Sequence, residues 1–177
     1  MGFISSYDAK PVNLSIRRLQ KTDPEIISQA FASMGWRKPI EQYQQYYAHQ
    51  EKGKVLVLVA ELDGEFAGYL KINWHPDYTS FPEVQDLNVL SHFRRRGIAT
   101  ALMDKAEALI AQRSKYVGIG VGLHPGYNAA QRMYVLRGYV PDGKGVTWRG
   151  EYIKQGQALV ADDGLVLHLA KDLQVAS

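Results

Sequence analysis

The fold is decided by residues 87–100, which read LNVLSHFRRRGIAT. An apolar strand-like run leads through three arginines and Gly97 into a segment whose apolar residues have helical spacing. At the start of a helix the first backbone amides have no partner within the helix, and the macrodipole places partial positive charge there. This stretch therefore predicts a strand, a basic turn and a helix that together bind a diphosphate.

The helix after this turn is the clearest one in the sequence. From Ile98 to about Arg113 apolar residues recur at the three-and-four spacing of a helix that packs one face against a core. Gly97 and Ala99 keep the approach to the first amides free of large side chains. The alternative for Arg94 to Arg96 is a solvated basic surface, and the strand before and the helix after favour phosphate binding.

The other elements follow from periodicity and turn signals. Residues 55–62 form an apolar, β-branched run, and Asp63-Gly64 predicts a tight hairpin turn because both of its central positions need positive φ. Residues 74–81 are rich in aromatic and turn residues and predict a loop. Further strands are predicted at residues 12–19, 65–73, 82–90, 116–123, 146–153 and 165–170, and further helices at residues 22–35, 39–52 and 129–136. This order predicts one mixed α/β or α+β sandwich domain over residues 1–177.

Composition limits the classes of protein. The 177 residues are 46% hydrophobic and 22% charged, which fits a globular domain with a core and argues against intrinsic disorder. The absence of cysteine excludes disulfides, thiolate metal sites and a cysteine nucleophile. The net charge of +3 suits an anionic ligand but is low for a protein that coats nucleic acid. The five histidines lack metal-ligand spacing, so we expect structural or surface roles for them and no metal.

Location is predicted from hydropathy. No apolar stretch approaches the roughly 18 residues of a membrane span, and the first residues lack the basic-then-apolar pattern of a secretory signal. We therefore expect a cytoplasmic protein without membrane partners.

Two motifs resemble those of a known family. Arg94-x-x-Gly97-x-Ala99 is similar to the R/Q-x-x-G-x-G/A signature of the GCN5-related N-acetyltransferases, and residues 130–134 with Gly138-Tyr139 resemble the family's second motif. The resemblance implies a three-layer sandwich with a mixed, mostly antiparallel central sheet flanked by helices, and acetyl-CoA as cosubstrate. By the same resemblance, small residues at positions 118, 120 and 122 leave room where the two central strands splay apart around the cofactor.

The resemblance also assigns the residues that contact the cofactor. The strand residues Leu87 and Val89, with Asn88 between them, hold the pantetheine arm. Asn128 takes the place of a family asparagine, since Tyr127 stands at the usual position. The turn that holds the diphosphate consists of Arg94, Arg95, Arg96, Gly97, Ile98, Ala99 and Thr100.

Acetyl transfer to an amine needs a base and an acid. The resemblance places Tyr134 beside the thioester sulfur as the acid, and some family members have a catalytic glutamate at the position of Glu83. Strand alternation predicts that Glu83, Gln85, Leu87 and Val89 share one face while Asp86 points to the other. Because there is no cysteine, direct attack by the amine is favoured over an acyl-enzyme. Each residue also has a structural alternative: Tyr134 as a core tyrosine and Glu83 as an exposed glutamate at a strand start.

The leading hypothesis is therefore an acetyl-CoA-dependent N-acetyltransferase that acts on a primary amine of a small molecule or peptide. Two alternatives stay open. The first is a non-catalytic module that binds CoA or acyl-CoA as a sensor, and the second is nucleic-acid binding through the arginine run, which only weak basic clusters support. The C-terminal strands also suggest a homodimer.

Overall fold

An eight-stranded sheet organises residues 13–174, the part of the chain that the computed structural model describes. The strands are β1 (Leu14–Arg18), β2 (Val55–Leu62), β3 (Glu65–Asn73), β4 (Glu83–Val89), β5 (Tyr116–Gly122), β6 (Val140–Trp148), β7 (Glu151–Tyr152) and β8 (Leu165–Asp172). Their order in the sheet is β1-β2-β3-β4-β5-β8-β6-β7. Neighbouring strands are antiparallel except β4 and β5, which are parallel. The predicted mixed, mostly antiparallel sheet is confirmed.

Four α-helices flank this sheet: α1 (Asp23–Ser33), α2 (Ile40–Glu51), α3 (Ile98–Ala111) and α4 (Asn128–Leu136). Tyr69 of β3 is fully buried against Phe31 of α1 and Tyr43 of α2, whose rings lie edge-on to it at 6.0 and 5.4 Å. The next residue, Leu70, points to the opposite face of the sheet and is also fully buried. Helix α3 contacts strands β2 to β5 through Leu102 and its other buried apolar residues. The sheet is therefore covered on both faces, as in the predicted three-layer sandwich.

The hairpin between β2 and β3 forms as predicted. Asp63 and Gly64 have φ of 53° and 84°, the pair of positive values that this tight turn requires. The flanking strands have the predicted bounds, because alternation and the turn signal agree on them. Of the first predicted strand, Leu14–Arg18 is observed and Val12 lies outside the described residues.

The single strand predicted over residues 146–153 is wrong. The structure has a hairpin here, in which β6 ends at Trp148 and β7 returns antiparallel from Glu151. Arg149 and Gly150 form the turn with φ of 50° and 87°. An arginine rarely adopts positive φ, so the sequence carries only half of the usual turn signal.

A β-bulge in β4 shapes the centre of the sheet. Lys71 of β3 lies opposite Gln85, and Tyr69 lies opposite Asn88, so Asp86 and Leu87 together face Leu70 alone. Asp86 takes up the extra length with φ of 54°. Pairing of β4 with β5 covers only Glu83 with Gly118 and Val84 with Ile119, and the two strands diverge beyond it, as the resemblance implied.

Candidate active site

The turn between β4 and α3 exposes backbone amides. A short 3-10 helix, Ser91–Phe93, leads into it, and Gly97 reaches φ of 76° as the residue before α3. Within residues 13–174 no side chain caps the first turn of α3, and a Cβ built on Gly97 would meet no atom within 4 Å. The amides at the start of α3 are therefore open to an anionic ligand.

The three arginines of this turn are exposed cations. The Arg94 guanidinium lies 5.8 Å from the centre of the Trp36 ring, and that of Arg96 lies 5.6 Å from the centre of the Phe93 ring. Arg95 adopts positive φ, 62°, within the turn. None of the three forms a salt bridge with a carboxylate among the described residues, so their charge is available to phosphate.

An open groove of about 400 Å³ lies between the start of α3 and α4. It is lined by Thr100, Ala129, Arg132, Met133, Leu136 and Arg137. Arg137 is held by Glu107 at 2.9 Å and by Asp104 at 2.7 Å, whereas Arg132 is exposed. Arg132 was not among the predicted site residues, although its position in the second motif, residues 130–134, could have identified it as a candidate.

Two predicted cofactor residues use their side chains within the protein. The Asn88 amide donates to the Asp86 carboxylate at 2.7 Å, so β4 offers its backbone rather than this side chain to a ligand. Asn128 opens α4, and its Oδ1 accepts the backbone N–H of Ala129 at 2.6 Å. The neighbouring Tyr127 ring lies against Gly122 of β5.

Tyr134 is buried on α4. Its side chain is 5% exposed, and its ring lies 6.1 Å from that of Tyr139. Burial raises the pKa of Tyr134 to about 12, with a smaller contribution from the nearby Tyr127. A phenol with this pKa stays protonated at neutral pH, and it can therefore donate a proton.

Glu83 is buried rather than exposed, at 3% exposure. Its Oε2 accepts a hydrogen bond from the Gln85 amide at 2.6 Å, and its Oε1 lies 3.6 Å from Nδ1 of His168. An exposed glutamate at a strand start, the structural alternative, is therefore excluded. Burial of a carboxylate with so few partners costs free energy.

The predicted alternation along β4 is wrong beyond Gln85. Asp86 accepts hydrogen bonds from the hydroxyls of Tyr69 at 2.6 Å and Tyr46 at 3.0 Å. The Tyr46 ring also contacts the ammonium group of Lys71, so Lys71 lies on the same face of the sheet as Asp86. Gln85 is the cross-strand neighbour of Lys71 and therefore shares this face, as does Glu83 two residues before it. Asp86 thus lies on the same face as Glu83, not on the opposite one. The bulge is the physical reason, because one extra residue reverses the alternation after it, so that Leu87 and Val89 leave the face of Glu83.

A cluster of tyrosines surrounds Asp86. The Tyr43 and Tyr69 hydroxyls lie 3.2 Å apart, and the Lys38 ammonium is 3.4 Å from Asp86. Burial raises the pKa of Tyr43 to about 12, and burial together with the Asp86 charge holds the pKa of Tyr69 well above its usual range. This cluster was not predicted from the sequence, since its members come from α2, β3, β4 and the loop before α2.

The three glycines of β5 lie beneath side chains of the protein itself. A Cβ on Gly118 would lie 3.1 Å from the Phe81 ring, and a Cβ on Gly120 would lie 2.9 Å from Val166. Gly122 is covered by the Tyr127 ring. These positions need glycine because neighbouring side chains pack directly on the strand.

Residues 13–174 show neither a metal-binding cluster nor a membrane-spanning helix. This part of the chain contains no group of three or more histidine or acidic side chains arranged to hold a metal ion. No helix within it combines the length and the apolar character needed to cross a membrane.

The comparisons with known proteins agree with this geometry. The family model described as "Acetyltransferase (GNAT) family" matches residues 16–139, which is more than half of the chain. The chain therefore belongs to the GNAT acetyltransferase family. A search of curated proteins gives no match.

Solved structures share the fold at low sequence identity. An N-acetyltransferase from Staphylococcus aureus Mu50 is 15% identical with a TM-score of 0.68, over 92% of this chain and 99% of that one. The ribosomal-protein-S18-alanine N-acetyltransferase of Escherichia coli is 14% identical with a TM-score of 0.66, over 93% and 97%. YncA of Salmonella typhimurium, solved with its cofactor acetyl-CoA, is 17% identical with a TM-score of 0.65, over 93% and 96%.

Proposed function

We propose that this protein transfers the acetyl group of acetyl-CoA directly to a primary amine. The observation that carries the proposal is the uncapped start of α3 behind Gly97, which opens where β4 and β5 diverge. Membership of the GNAT family and the acetyl-CoA present in the YncA structure support the same cosubstrate.

The residues of this corner fit an anionic nucleotide. The amides of residues 97–100 and the exposed guanidinium groups of Arg94 to Arg96 would hold the diphosphate. Thr100 and Arg132 line the adjoining groove and would contact the rest of the nucleotide. The backbone of Leu87 to Val89 in β4, together with Asn128 at the start of α4, would hold the pantetheine arm. When bound, acetyl-CoA supplies an activated thioester carbonyl for the amine.

The amine must lose a proton before it can attack. A lysine-like amine has a pKa of about 10.4, so its deprotonation at pH 7 costs roughly 4.6 kcal/mol. Glu83 is the proposed base, since it is a buried carboxylate beside the point where β4 and β5 separate. Its Oε1 receives the proton directly or through one water.

The sulfur must leave as a thiolate or thiol. Tyr134 is the proposed acid, because its position in the second motif matches the tyrosine that lies beside the thioester sulfur in the family, and its buried hydroxyl carries a proton at neutral pH. A thiol with a pKa of about 8.5 is a fair leaving group, so this donor assists the reaction moderately. The amide of Val89 is proposed to stabilise negative charge on the thioester oxygen.

The test is acetyl transfer to a panel of amines. Spermidine and a peptide with N-terminal alanine represent the acceptors named for two fold relatives, and a peptide with an internal lysine adds a further class of primary amine. We expect an N-acetylated product by mass spectrometry and an equal amount of free CoA, after subtraction of the rate without amine. Tight CoA binding without product for any amine would instead support the non-catalytic module.

The panel also addresses the class of acceptor. A fold shared at 14% to 19% identity with the solved relatives does not define the acceptor, which depends on loops around the site. A cytoplasmic location and a homodimer stay predictions of the sequence.

A further inference from the structure

A buried histidine faces the proposed base from a distant part of the chain. His168 of β8 is 7% exposed, and its Nδ1 is a buried polar atom without a hydrogen-bond partner, the only such side-chain atom found among the described residues. The atom it faces is Oε1 of Glu83, 3.6 Å away, slightly beyond hydrogen-bond distance. A buried polar atom without a partner costs free energy, so we expect Nδ1 of His168 and Oε1 of Glu83 to form a hydrogen bond.

The surroundings of the two ring nitrogens indicate which of them carries the hydrogen. Nε2 of His168 lies 3.1 Å from Oγ1 of Thr147, whereas the alternative acceptor for this hydroxyl, the carbonyl of Val166, is 3.5 Å away. Because a carboxylate oxygen accepts hydrogen bonds and does not donate them, the hydrogen of a neutral ring belongs on the nitrogen that faces Glu83, and the Thr147 hydroxyl then donates to Nε2. In that tautomer Nδ1 carries the hydrogen and directs it at the Glu83 carboxylate.

The fold leaves room for this contact at one glycine. A Cβ on Gly120 would lie 3.7 Å from Nδ1 of His168 and 3.8 Å from Oε1 of Glu83. The Tyr78 ring, 5.0 Å from the imidazole, covers His168 on another side. The imidazole and the carboxylate therefore meet in a small space that is partly closed from solvent.

Other charged groups near the pair come from β3 and β4. Lys71 is the nearest cation of β3, and the charges of Glu83 and Asp86 both raise its pKa against the larger lowering by burial. Gln85, which donates to Oε2 of Glu83, is neutral. From β8 and the loop before β4, the titratable groups that face the pair are His168 itself and Tyr78.

We propose that His168 is a positioning residue for Glu83: its Nδ1–H binds Oε1 and holds the carboxylate in the orientation in which it takes the proton of the amine. Thr147 fixes the required tautomer, and Gln85 holds the second oxygen. The proton moves from the amine nitrogen to Glu83, and His168 keeps its own. This inference rests on the proposed function for its kinetic consequence, while the contact itself is testable without an acceptor.

The first experiment measures the contact by NMR on protein labelled with ¹⁵N-histidine. We expect the neutral His168 ring to carry its hydrogen on Nδ1, and this signal to shift in Glu83→Gln. Glu65→Gln, at the hairpin between β2 and β3, is the matched control and should leave the signal unchanged. A hydrogen on Nε2, or no response to Glu83→Gln, overturns the proposal whether or not any amine is acetylated.

The second experiment uses the panel amine with the highest rate. His168→Leu removes the donor, so we expect kcat to fall about tenfold or more and the acidic limb of the kcat profile to move to higher pH by about one unit, the size of one hydrogen bond to a charged group. His168→Asn can place an amide N–H near Nδ1 and should restore most of both effects. Affinity for acetyl-CoA, measured by calorimetry, should not change in either variant.

A merely structural role predicts a different result. Equal losses in His168→Leu and His168→Asn, without movement of the pH profile, would overturn the positioning role. In the Glu83→Gln background, His168→Leu should cause little further loss of kcat, and a full additional loss would count against it. If no panel amine is acetylated by the unmodified protein, the proposed function fails, and the NMR result still decides the contact.

Discussion

The two halves of the proposed site are built in different ways. The cofactor turn, residues 94–100, is contiguous in sequence, exposed, and offers mainly backbone amides and guanidinium groups. The carboxylate face, which we define by Glu83, Asp86 and His168, is buried or half-buried and combines side chains from distant strands. A backbone site can be recognised from a short motif, whereas a side-chain site depends on register, bulges and strand order.

The largest expected effect is on the cofactor turn. Gly97→Glu places a negative charge and a side chain where Gly97 now has φ of 76° and open space. We expect acetyl-CoA affinity to fall about 100-fold, because charge repulsion adds to the loss of favourable contacts with the α3 dipole and amides. Isothermal calorimetry measures this loss.

The control for this change is Gly53→Glu. Gly53 has φ of 70° and is equally open, but it follows α2 away from the turn. We expect Gly53→Glu to have about the same free energy of unfolding as Gly97→Glu and the acetyl-CoA affinity of the unmodified protein. Equal affinity in both variants would place the diphosphate elsewhere.

A smaller effect, on stability, is expected on the carboxylate face. Asp86→Asn keeps a residue type that tolerates positive φ but replaces one carboxylate oxygen by an amide donor. Because Tyr69 donates to this group at 2.6 Å and Tyr46 at 3.0 Å, we expect a loss of about 2 kcal/mol in the free energy of unfolding. Urea titration at neutral pH measures it.

Asp63→Asn provides the matched control, since Asp63 has φ of 53° in the exposed hairpin turn. Its free energy of unfolding should change by less than about 0.5 kcal/mol. Equal losses at the two positions would mean that backbone conformation, and not the tyrosine hydrogen bonds, determines the effect.

These differences match what could be predicted from sequence. The β2 and β3 bounds, the turn at Asp63 and the start of α3 were predicted because alternation, turn chemistry and helical spacing are local signals. The family motifs identified Glu83 and Tyr134 as candidates. The positions of the individual site residues against a bound cofactor stay predictions.

The face of Asp86 was predicted wrongly because a bulge at a non-glycine residue leaves no mark in the alternation pattern. The role of His168 was missed for another reason. Residue 168 reaches Glu83 only because β8 is inserted between β5 and β6, and neither position signals that order.

Tyr134 is the proposed acid, and removal of its hydroxyl should affect kcat more than affinity. For Tyr134→Phe we expect kcat to fall about tenfold, in keeping with moderate assistance to a thiolate, while the acetyl-CoA Kd stays constant. Steady-state kinetics and calorimetry together measure the two effects. An unchanged kcat in Tyr134→Phe would show that Tyr134 is a structural core residue and not the acid.

Tyr139→Phe is the control for this variant. Its hydroxyl is also on a buried ring but donates to Glu107 at 3.1 Å, on the side of α3. Its loss should reduce stability and leave kcat unchanged. A similar fall of kcat in both variants would indicate that disturbed packing of the two neighbouring rings, and not the loss of the Tyr134 hydroxyl, reduces turnover.

The smallest effect follows from the titration of Tyr134 at high pH. Its pKa is about 12 in the folded protein, against 10.0 for an ordinary tyrosine, so the unfolded chain loses this proton first as the pH rises. The contribution to stability is complete below pH 10 and is lost as the pH rises through 12. Between pH 9 and 11 the loss of this contribution should lower the free energy of unfolding by about 1 kcal/mol.

Comparison with Tyr134→Phe isolates this contribution, because the phenylalanine variant lacks the ionisable group while other buried tyrosines still titrate. The fall of the free energy of unfolding between pH 9 and 11, from urea titrations, should be about 1 kcal/mol smaller in this variant. Tyr152→Phe, at a 46% exposed tyrosine, should leave the fall unchanged. An identical fall in all three proteins would show that the Tyr134 hydroxyl is solvated, which would contradict its burial in the proposed site.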